Sequence, residues 1–97
     1  MPTYVSLFKW TEQGIKDAKN TVNRADQARQ AITKMGGTLD ATYWTQGAYD
    51  IVAIATFPDE ESAQAFLITI GQQGNIRSET LRAFTAEDMK RILSKLP

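Results

Sequence analysis

The sequence predicts an α+β fold in which a four-stranded antiparallel sheet carries two helices on one face and an added helix at the C-terminus. Two observations lead to this prediction. The segment Tyr43 to Phe57 (YWTQGAYDIVAIATF) contains the most apolar run of the chain and is expected to form a hairpin at the sheet centre. Other segments repeat apolar residues at spacings of three and four, which is typical of helices packed on a sheet.

The first strand is predicted from Thr3 to Trp10, where the residues alternate between two faces. The next segment, Thr11 to Thr21 (TEQGIKDAKNT), is polar and has no clean period, so we expect a long connection with room for one helical turn. Large side chains occupy both faces of the strand, with Tyr4, Ser6, Phe8 and Trp10 on one and Val5, Leu7 and Lys9 on the other.

The first helix is expected to begin near Asn23, with either Asn23 or Thr21 as its N-cap. It ends at Gly36-Gly37, since glycine supplies the left-handed conformation at which helices commonly stop. The helix covers one face of the sheet with a single apolar stripe formed by Ala25, Ala28, Ile32 and Met35.

The central hairpin is expected to pair Thr38 to Thr45 with Ala48 to Phe57 across a turn at Gln46-Gly47. Its second strand is so continuously apolar that burial on both faces is predicted. Asp50 is the one charged residue in that strand. A carboxylate in such a position needs a partner that satisfies it, which makes Asp50 the anomaly of the hairpin.

The second half of the chain contains signals for a helix, a strand and a last helix. Asp59 is a suitable N-cap for a helix that ends around Gly71 to Gly74, Ile76 to Phe84 is compatible with a strand, and Thr85 to Asp88 resembles a capping box. The order β-α-β-β-α-β-α matches the ferredoxin-like arrangement. The two helices carry the apolar stripes Ala63, Phe66, Leu67 and Ile70, and Met89, Ile92, Leu93 and Leu96.

Length and composition fit one small domain that spans residues 1–97. The 11 basic and 11 acidic side chains balance, so the chain lacks the charge expected of a general nucleic-acid binder. No apolar run approaches the roughly 20 residues of a membrane span, and the N-terminus lacks the pattern of a signal peptide. We therefore expect a cytoplasmic protein without a nucleic-acid or membrane partner.

The chain contains no cysteine and no histidine. The first absence excludes disulfides, thiolate nucleophiles and zinc sites built on cysteine. The second removes the usual general base and the commonest transition-metal ligand. We expect no metal site and no cofactor, so any chemistry depends on carboxylates, tyrosines, lysines or arginines.

The apolar residues on both faces of the sheet indicate self-association. Two helices cover only one face, and an uncovered apolar face of this size exceeds what soluble monomers usually expose. A second subunit is therefore expected to cover it. The simplest assembly is a homodimer packed sheet to sheet, and a higher homo-oligomer satisfies the same requirement.

Three segments carry a family resemblance: YWTQGAYDIVAIATFPDEE, GNIRSETLRAF downstream of it, and LFKWTEQGIKD near the N-terminus. Together they resemble the GYD-domain family, and the name-giving residues correspond to Gly47, Tyr49 and Asp50. The resemblance spans nearly the whole chain. It implies a ferredoxin-like subunit similar to the dimeric α/β-barrel proteins and an oligomer, and it implies no particular reaction.

Asp50 is the first candidate site residue. A carboxylate beside apolar neighbours can act as a general base, because poor solvation favours its protonated form. The alternative is structural: Asp50 accepts hydrogen bonds from the Thr11 to Thr21 segment or from a nearby strand end and holds the hairpin in place.

Aromatic residues near the strand ends and one arginine complete the candidates. Trp10, Trp44 and Tyr49, together with Tyr43, either line a pocket for a flat ligand or fill a subunit interface. Arg77 pairs with Glu79, reaches Asp50, or binds a ligand carboxylate. The ligand-binding candidates are therefore Trp10, Trp44, Tyr49, Asp50 and Arg77.

Three functions remain open from the sequence. The first is a homo-oligomeric domain that binds a small molecule between sheet and helices. The second is a cofactor-independent enzyme of the α/β-barrel type, a monooxygenase or isomerase, which rests on analogy of fold. The third is a purely structural assembly module.

Overall fold

Four antiparallel strands form one sheet in the computed structural model, which describes all residues, 1–97. The order across the sheet is β2-β3-β1-β4, so β1 and β3 are the inner strands. The predicted ferredoxin-like arrangement is confirmed. The strands are β1 (Thr3–Trp10), β2 (Thr38–Trp44), β3 (Ile51–Thr56) and β4 (Ile76–Ala83), and the helices are α1 (Glu12–Lys16), α2 (Thr21–Lys34), α3 (Glu60–Gln72) and α4 (Ala86–Leu93).

Helices α2 and α3 cover one face of the sheet, which we call the covered face. The apolar stripes predicted for them supply its core, because Ile32 of α2 and Phe66 of α3 are buried against Ala55 and Phe57. The ring of Phe57 lies 5.6 Å from that of Phe66 and meets Tyr4 edge-on at 6.0 Å between centroids. Aromatic pairs favour such geometry, so this end of the molecule is well packed.

The opposite face, which we call the open face, carries no helix. Register pairs Leu7 with Val52 on one side and with Glu79 on the other, and it pairs Val5 with Ile54 and Leu81. Alternation along each strand therefore places these side chains together on the open face. The exposed fraction of Leu81 reaches 51%. Large side chains on both faces of β1 were predicted, and the register agrees.

The connection after β1 is more ordered than predicted. Two helical segments occupy it, α1 and a 3₁₀ turn at Ala18–Asn20, and α2 starts at Thr21 and not near Asn23. Neither predicted N-cap residue serves α2, because Asn20 holds that position without a side-chain bond. The local cap is Thr11, whose Oγ1 accepts from the Gly14 N–H at 3.1 Å.

Gly14 explains why a helix forms in so polar a segment. A Cβ at this position would overlap the carbonyl oxygen of Asn75, which also accepts from the Thr11 N–H at 3.1 Å. The first turn of α1 is thus held directly against the backbone that precedes β4. This tertiary contact stabilises the helix, and periodicity within the segment could not predict it.

The predicted two-residue turn at Gln46-Gly47 is wrong, and β3 begins at Ile51 and not at Ala48. A wider loop joins the strands, closed by bonds from the Thr45 N–H to the Asp50 carbonyl at 2.8 Å and from Thr45 Oγ1 to the Tyr49 carbonyl at 2.6 Å. Gly47 takes a φ of 111° in that loop, a conformation that favours glycine. Tyr49 and Asp50 therefore precede the strand.

The C-terminal helix α4 has the capping box that the sequence predicts. Thr85 Oγ1 accepts from the Asp88 N–H at 3.1 Å, and Asp88 Oδ2 accepts from the Thr85 N–H at 3.0 Å. The helix makes no extensive contact with the other elements, and Met89, Leu93 and Leu96 of its stripe are exposed. None of the helices combines the length and apolar character that crossing a membrane requires.

Candidate functional site

A cavity of about 100 Å³ lies between the covered face and helices α2 and α3. Hydrophobic side chains make up 15 of its 22 lining residues. Small-molecule sites have this composition, with a few polar groups in a mostly apolar wall. Its wall runs along β1 from Tyr4 to Trp10, and the helices contribute Ala25, Ala28, Ile32, Phe66 and Ile70.

Two polar atoms in the cavity wall are buried without a hydrogen-bond partner. They are the indole Nε1 of Trp10 and the hydroxyl Oγ1 of Thr42. A buried polar group without a partner costs about 1–3 kcal/mol, and folded proteins rarely leave such a group unpaired. Both residues line the same cavity, which makes this the chemically unusual region of the molecule.

Most of the other polar side chains of the wall are already bonded. Ser6 Oγ and Thr80 Oγ1 lie 2.9 Å apart. Arg24 is the only charged residue of the wall, and its Nη1 lies 3.2 Å from the Asp17 carboxylate and donates to the Asp17 carbonyl at 2.8 Å. The cavity therefore contains no unpaired charge, and its buried polar atoms without a partner are an indole N–H and a hydroxyl.

Register places the hydroxyl groups in one row across the covered face. Thr42 pairs with Ala53, Ala53 with Ser6, and Ser6 with Thr80. The short side chain of Ala53 leaves space between Thr42 and Ser6, so Thr42 cannot join the bonded pair on the far side. Trp10 lies four residues further along β1, which is about 13 Å at the spacing of a strand.

Asp50 positions Trp10 and does not line the cavity. Its Oδ2 accepts from the Trp10 N–H at 2.9 Å, and its own N–H donates to the Phe8 carbonyl at 2.8 Å. Both bonds attach the β2–β3 loop to the end of β1. This is the strand-end contact expected of a structural acid, and it fixes the backbone that carries the indole.

Trp44 lies beside the cavity and outside its wall. Its Nε1 donates to Thr21 Oγ1 at 2.9 Å, which ties the end of β2 to the start of α2. Thr21 itself lines the cavity. Trp44 therefore supports one wall from behind, whereas Tyr43 is 64% exposed and points away from it.

Tyr49 and Arg77 lie with Lys9 and Glu79 in a polar cluster at one end of the open face. The Tyr49 hydroxyl donates to the Glu79 carboxylate, and Lys9 Nζ lies 5.4 Å from the centre of the Tyr49 ring. The hydrogen bond to Glu79, with smaller contributions from burial and from the carboxylate charge, raises the pKa of Tyr49 above 10.0. Arg77 is opposite Lys9 in the register and forms none of the four ion pairs.

The model of the GYD domain family matches residues 4–93 of the chain. The chain belongs to the GYD-domain family. The crystal structure of TTHA0845 from Thermus thermophilus is similar, with 26% sequence identity, a TM-score of 0.55, and coverage of 89% of this chain and 96% of that one. No curated protein matches. The resemblance noted in the sequence is therefore confirmed over nearly its whole length.

The three residues that name the GYD domain all lie in the β2–β3 loop of this protein. Gly47 provides the turn, Tyr49 reaches the open face, and Asp50 binds the backbone of β1. None of the three lines the cavity. In this GYD-domain protein the motif thus joins the loop to the sheet and supports the cavity indirectly.

Among the five candidates from the sequence, Trp10 alone lines the cavity. The sequence did not identify Thr42, and alternation could not have done so. A register irregularity between Leu39 and Ala41 shifts β2, so that Leu39 and Thr42 both face the cavity although an even strand would place them on opposite sides.

Proposed function

We propose that this GYD-domain protein is a homo-oligomeric domain that binds a small molecule in the cavity between the sheet and the helices. The observation that carries this proposal is the pair of buried polar atoms without a partner, Trp10 Nε1 and Thr42 Oγ1, in residues of a mostly apolar wall. A bound molecule that supplies hydrogen-bond partners removes the cost of leaving them unpaired.

The packing around the cavity supports the same function. Only eight of the 97 residues are buried, and Ile32 is the single large side chain with less than 2% of its surface exposed. A domain of this size has a small hydrophobic core, so an empty cavity beneath the helices lowers its free energy of unfolding. A molecule that fills the volume adds contacts and stabilises the folded state.

The homo-oligomeric part of the proposal rests on the open face. Val5, Leu7, Val52 and Ile54 lie together on a surface that no helix covers. A second copy packed sheet to sheet removes this apolar surface from water, at about 25 cal/mol for each Å² buried. The same face supports the alternative function, a structural assembly module, in which association is the whole role.

An unbiased ligand screen with a cavity-filling variant tests the binding function. A compound bound to the folded state raises the melting temperature, by mass action. In Ala53→Leu the larger side chain enters the cavity, so we expect the stabilisation by any such compound to disappear. Ala65→Leu is the matched control, because it makes the same substitution at an exposed position of α3 that does not line the cavity.

Two outcomes would count against the binding function. In one, no compound of a broad metabolite collection stabilises the wild-type protein. In the other, stabilising compounds act equally on the wild type and on Ala53→Leu, which would place their site elsewhere. The structural assembly module would then be the favoured function, and it would be tested by measuring the size of the oligomer.

A further inference from the structure

The charges around the cavity select the class of molecule that it accepts. No aspartate, glutamate or lysine lines the wall, and the guanidinium of Arg24 is already paired with Asp17. An ionised ligand would lose its hydration without gaining a free partner of opposite charge, which is strongly unfavourable in an apolar site. The wall therefore favours an uncharged molecule with a hydrocarbon body.

The unpartnered atoms specify the polar group of that molecule. An indole N–H donates and cannot accept, so Trp10 Nε1 requires an acceptor. A hydroxyl donates or accepts, so Thr42 places no such restriction. The two residues are separated by two strand spacings, about 10 Å, and by about 13 Å along the strands. They therefore mark separate polar positions, and the Trp10 position is the selective one.

We infer that the cavity binds a small uncharged molecule whose carbonyl-type oxygen accepts a hydrogen bond from Trp10 Nε1, an inference that rests on the proposed binding function. Asp50 contributes by holding the Trp10 backbone through its Oδ2, which fixes the strand end that carries the indole. Asp50 is thus a positioning residue for this contact. The volume of about 100 Å³ limits the buried part of the ligand to about one small ring.

The two tryptophans make the inference measurable by NMR. The chain has only Trp10 and Trp44, so the protein gives two indole N–H signals, which Trp44→Phe assigns. Cyclohexanone is the probe, methylcyclohexane is the hydrocarbon of the same shape, and cyclohexanecarboxylate is the charged analogue. Trp44 Nε1 is already bonded to Thr21 and serves as the internal reference.

We expect cyclohexanone to shift the Trp10 indole signal and to leave that of Trp44 in place. In Trp10→Phe the affinity for cyclohexanone should fall about ten-fold, as for one hydrogen bond, whereas the affinity for methylcyclohexane should not change, because the donor is lost while the apolar wall remains. In Asp50→Asn the affinity for cyclohexanone is kept, since the amide oxygen can still accept from the Trp10 N–H.

Three results would overturn the inference. Trp10→Phe that weakens cyclohexanone and methylcyclohexane equally, or weakens neither, would show an apolar site without selection for oxygen, and the proposed binding function would stand. Cyclohexanecarboxylate that binds more tightly than cyclohexanone would show that the cavity does not select uncharged ligands, and the proposed binding function would again stand. Cyclohexanone that leaves the Trp10 signal unchanged would exclude the hydrogen bond from Trp10 Nε1. The proposed binding function would be contradicted only if the unbiased ligand screen found no compound that binds in the cavity.

Discussion

The two faces of the sheet are built from the same strands, but helices cover one of them and no helix covers the other. On the covered face, Phe57 and Phe66 pack beneath helices, and the polar atoms are two hydroxyls bonded to each other and two groups without a partner. On the open face, an apolar centre ends in a polar cluster where the Tyr49 hydroxyl donates to Glu79 and Lys9 lies over the Tyr49 ring.

The two faces therefore differ in the kind of apolar surface that the helices leave unfilled or uncovered. The covered face contains a cavity, which a small molecule fills in the proposed function. The open face exposes a broad apolar surface, which a second copy of the chain covers in the proposed oligomer. A substitution on one face should therefore change stability or ligand binding, and one on the other face should change association.

The largest effect is expected from the core of the covered face. Phe57 is 3% exposed and contacts Tyr4 and Phe66, so Phe57→Ala removes two aromatic contacts and leaves a void. We expect the free energy of unfolding to fall by about 3–5 kcal/mol in urea titrations. Ile54→Ala on the open face is the comparison, with an expected loss of about 1 kcal/mol when measured on dilute protein. Equal losses would remove the distinction between the faces.

The next effect concerns association through the open face. Val52→Lys places an ammonium group at the centre of the proposed interface, where it would be buried without a partner. We expect the dissociation constant of the oligomer to rise at least about 100-fold in sedimentation equilibrium. Gln64→Lys adds the same charge on the exposed side of α3 and should change nothing. A wild-type protein that is monomeric at micromolar concentration would exclude the interface.

Much of this architecture could be predicted from the sequence, because the signals are local. The stripe that contains Ile32 identified α2, and Thr85 with Asp88 identified the start of α4. Contacts between distant segments could not be predicted in this way. Gly14 against Asn75 created α1, and the bonds of Thr45 to Asp50 and Tyr49 widened the hairpin loop.

The candidate site was predicted less well, for a related physical reason. Asp50 was identified as anomalous because it breaks an apolar run, and its bond to the Trp10 N–H accounts for the anomaly. Thr42 gave no signal, because a threonine in a strand is ordinary and the irregularity beside Asp40 reverses its face. A missing partner is a property of the packed structure and cannot be read from residue types.

The loop between β2 and β3 links the two faces, and Asp50 tests that link. Asp50→Ala leaves the Trp10 N–H without its acceptor, and we expect a loss of about 1.5 kcal/mol in the free energy of unfolding. Asp50→Asn retains an acceptor oxygen and should lose less. A hydrogen-exchange measurement should show faster exchange of the Trp10 amide in Asp50→Ala alone. If the Trp10 amide exchanged at the same rate in Asp50→Ala as in the wild type, Asp50 would not position the Trp10 backbone.

The smallest effect is expected in α4, which belongs to neither face and so serves as a reference for both. Thr85→Ala removes the side-chain half of the capping box and should cost the helix about 1 kcal/mol. Because α4 makes no extensive contact with the sheet, the loss should appear in the NMR signals of α4 and leave the melting temperature unchanged. A lower melting temperature would show that α4 supports one of the faces after all.

The pH dependence of α4 gives an independent measure of the same cap. The bond from the Thr85 N–H, followed by the bond from Arg91, lowers the pKa of Asp88 from 3.8 to about 2. A lowered pKa in the folded state means that the stabilisation is fully present above pH 3.8 and is lost as the pH falls through about 2. We expect α4 to lose helical signal between these values, whereas Asp88→Asn, which cannot titrate, should remain flat there. Parallel loss in both proteins would assign the change to carboxylates other than Asp88, including Glu87, which pairs with Lys90 in the same helix.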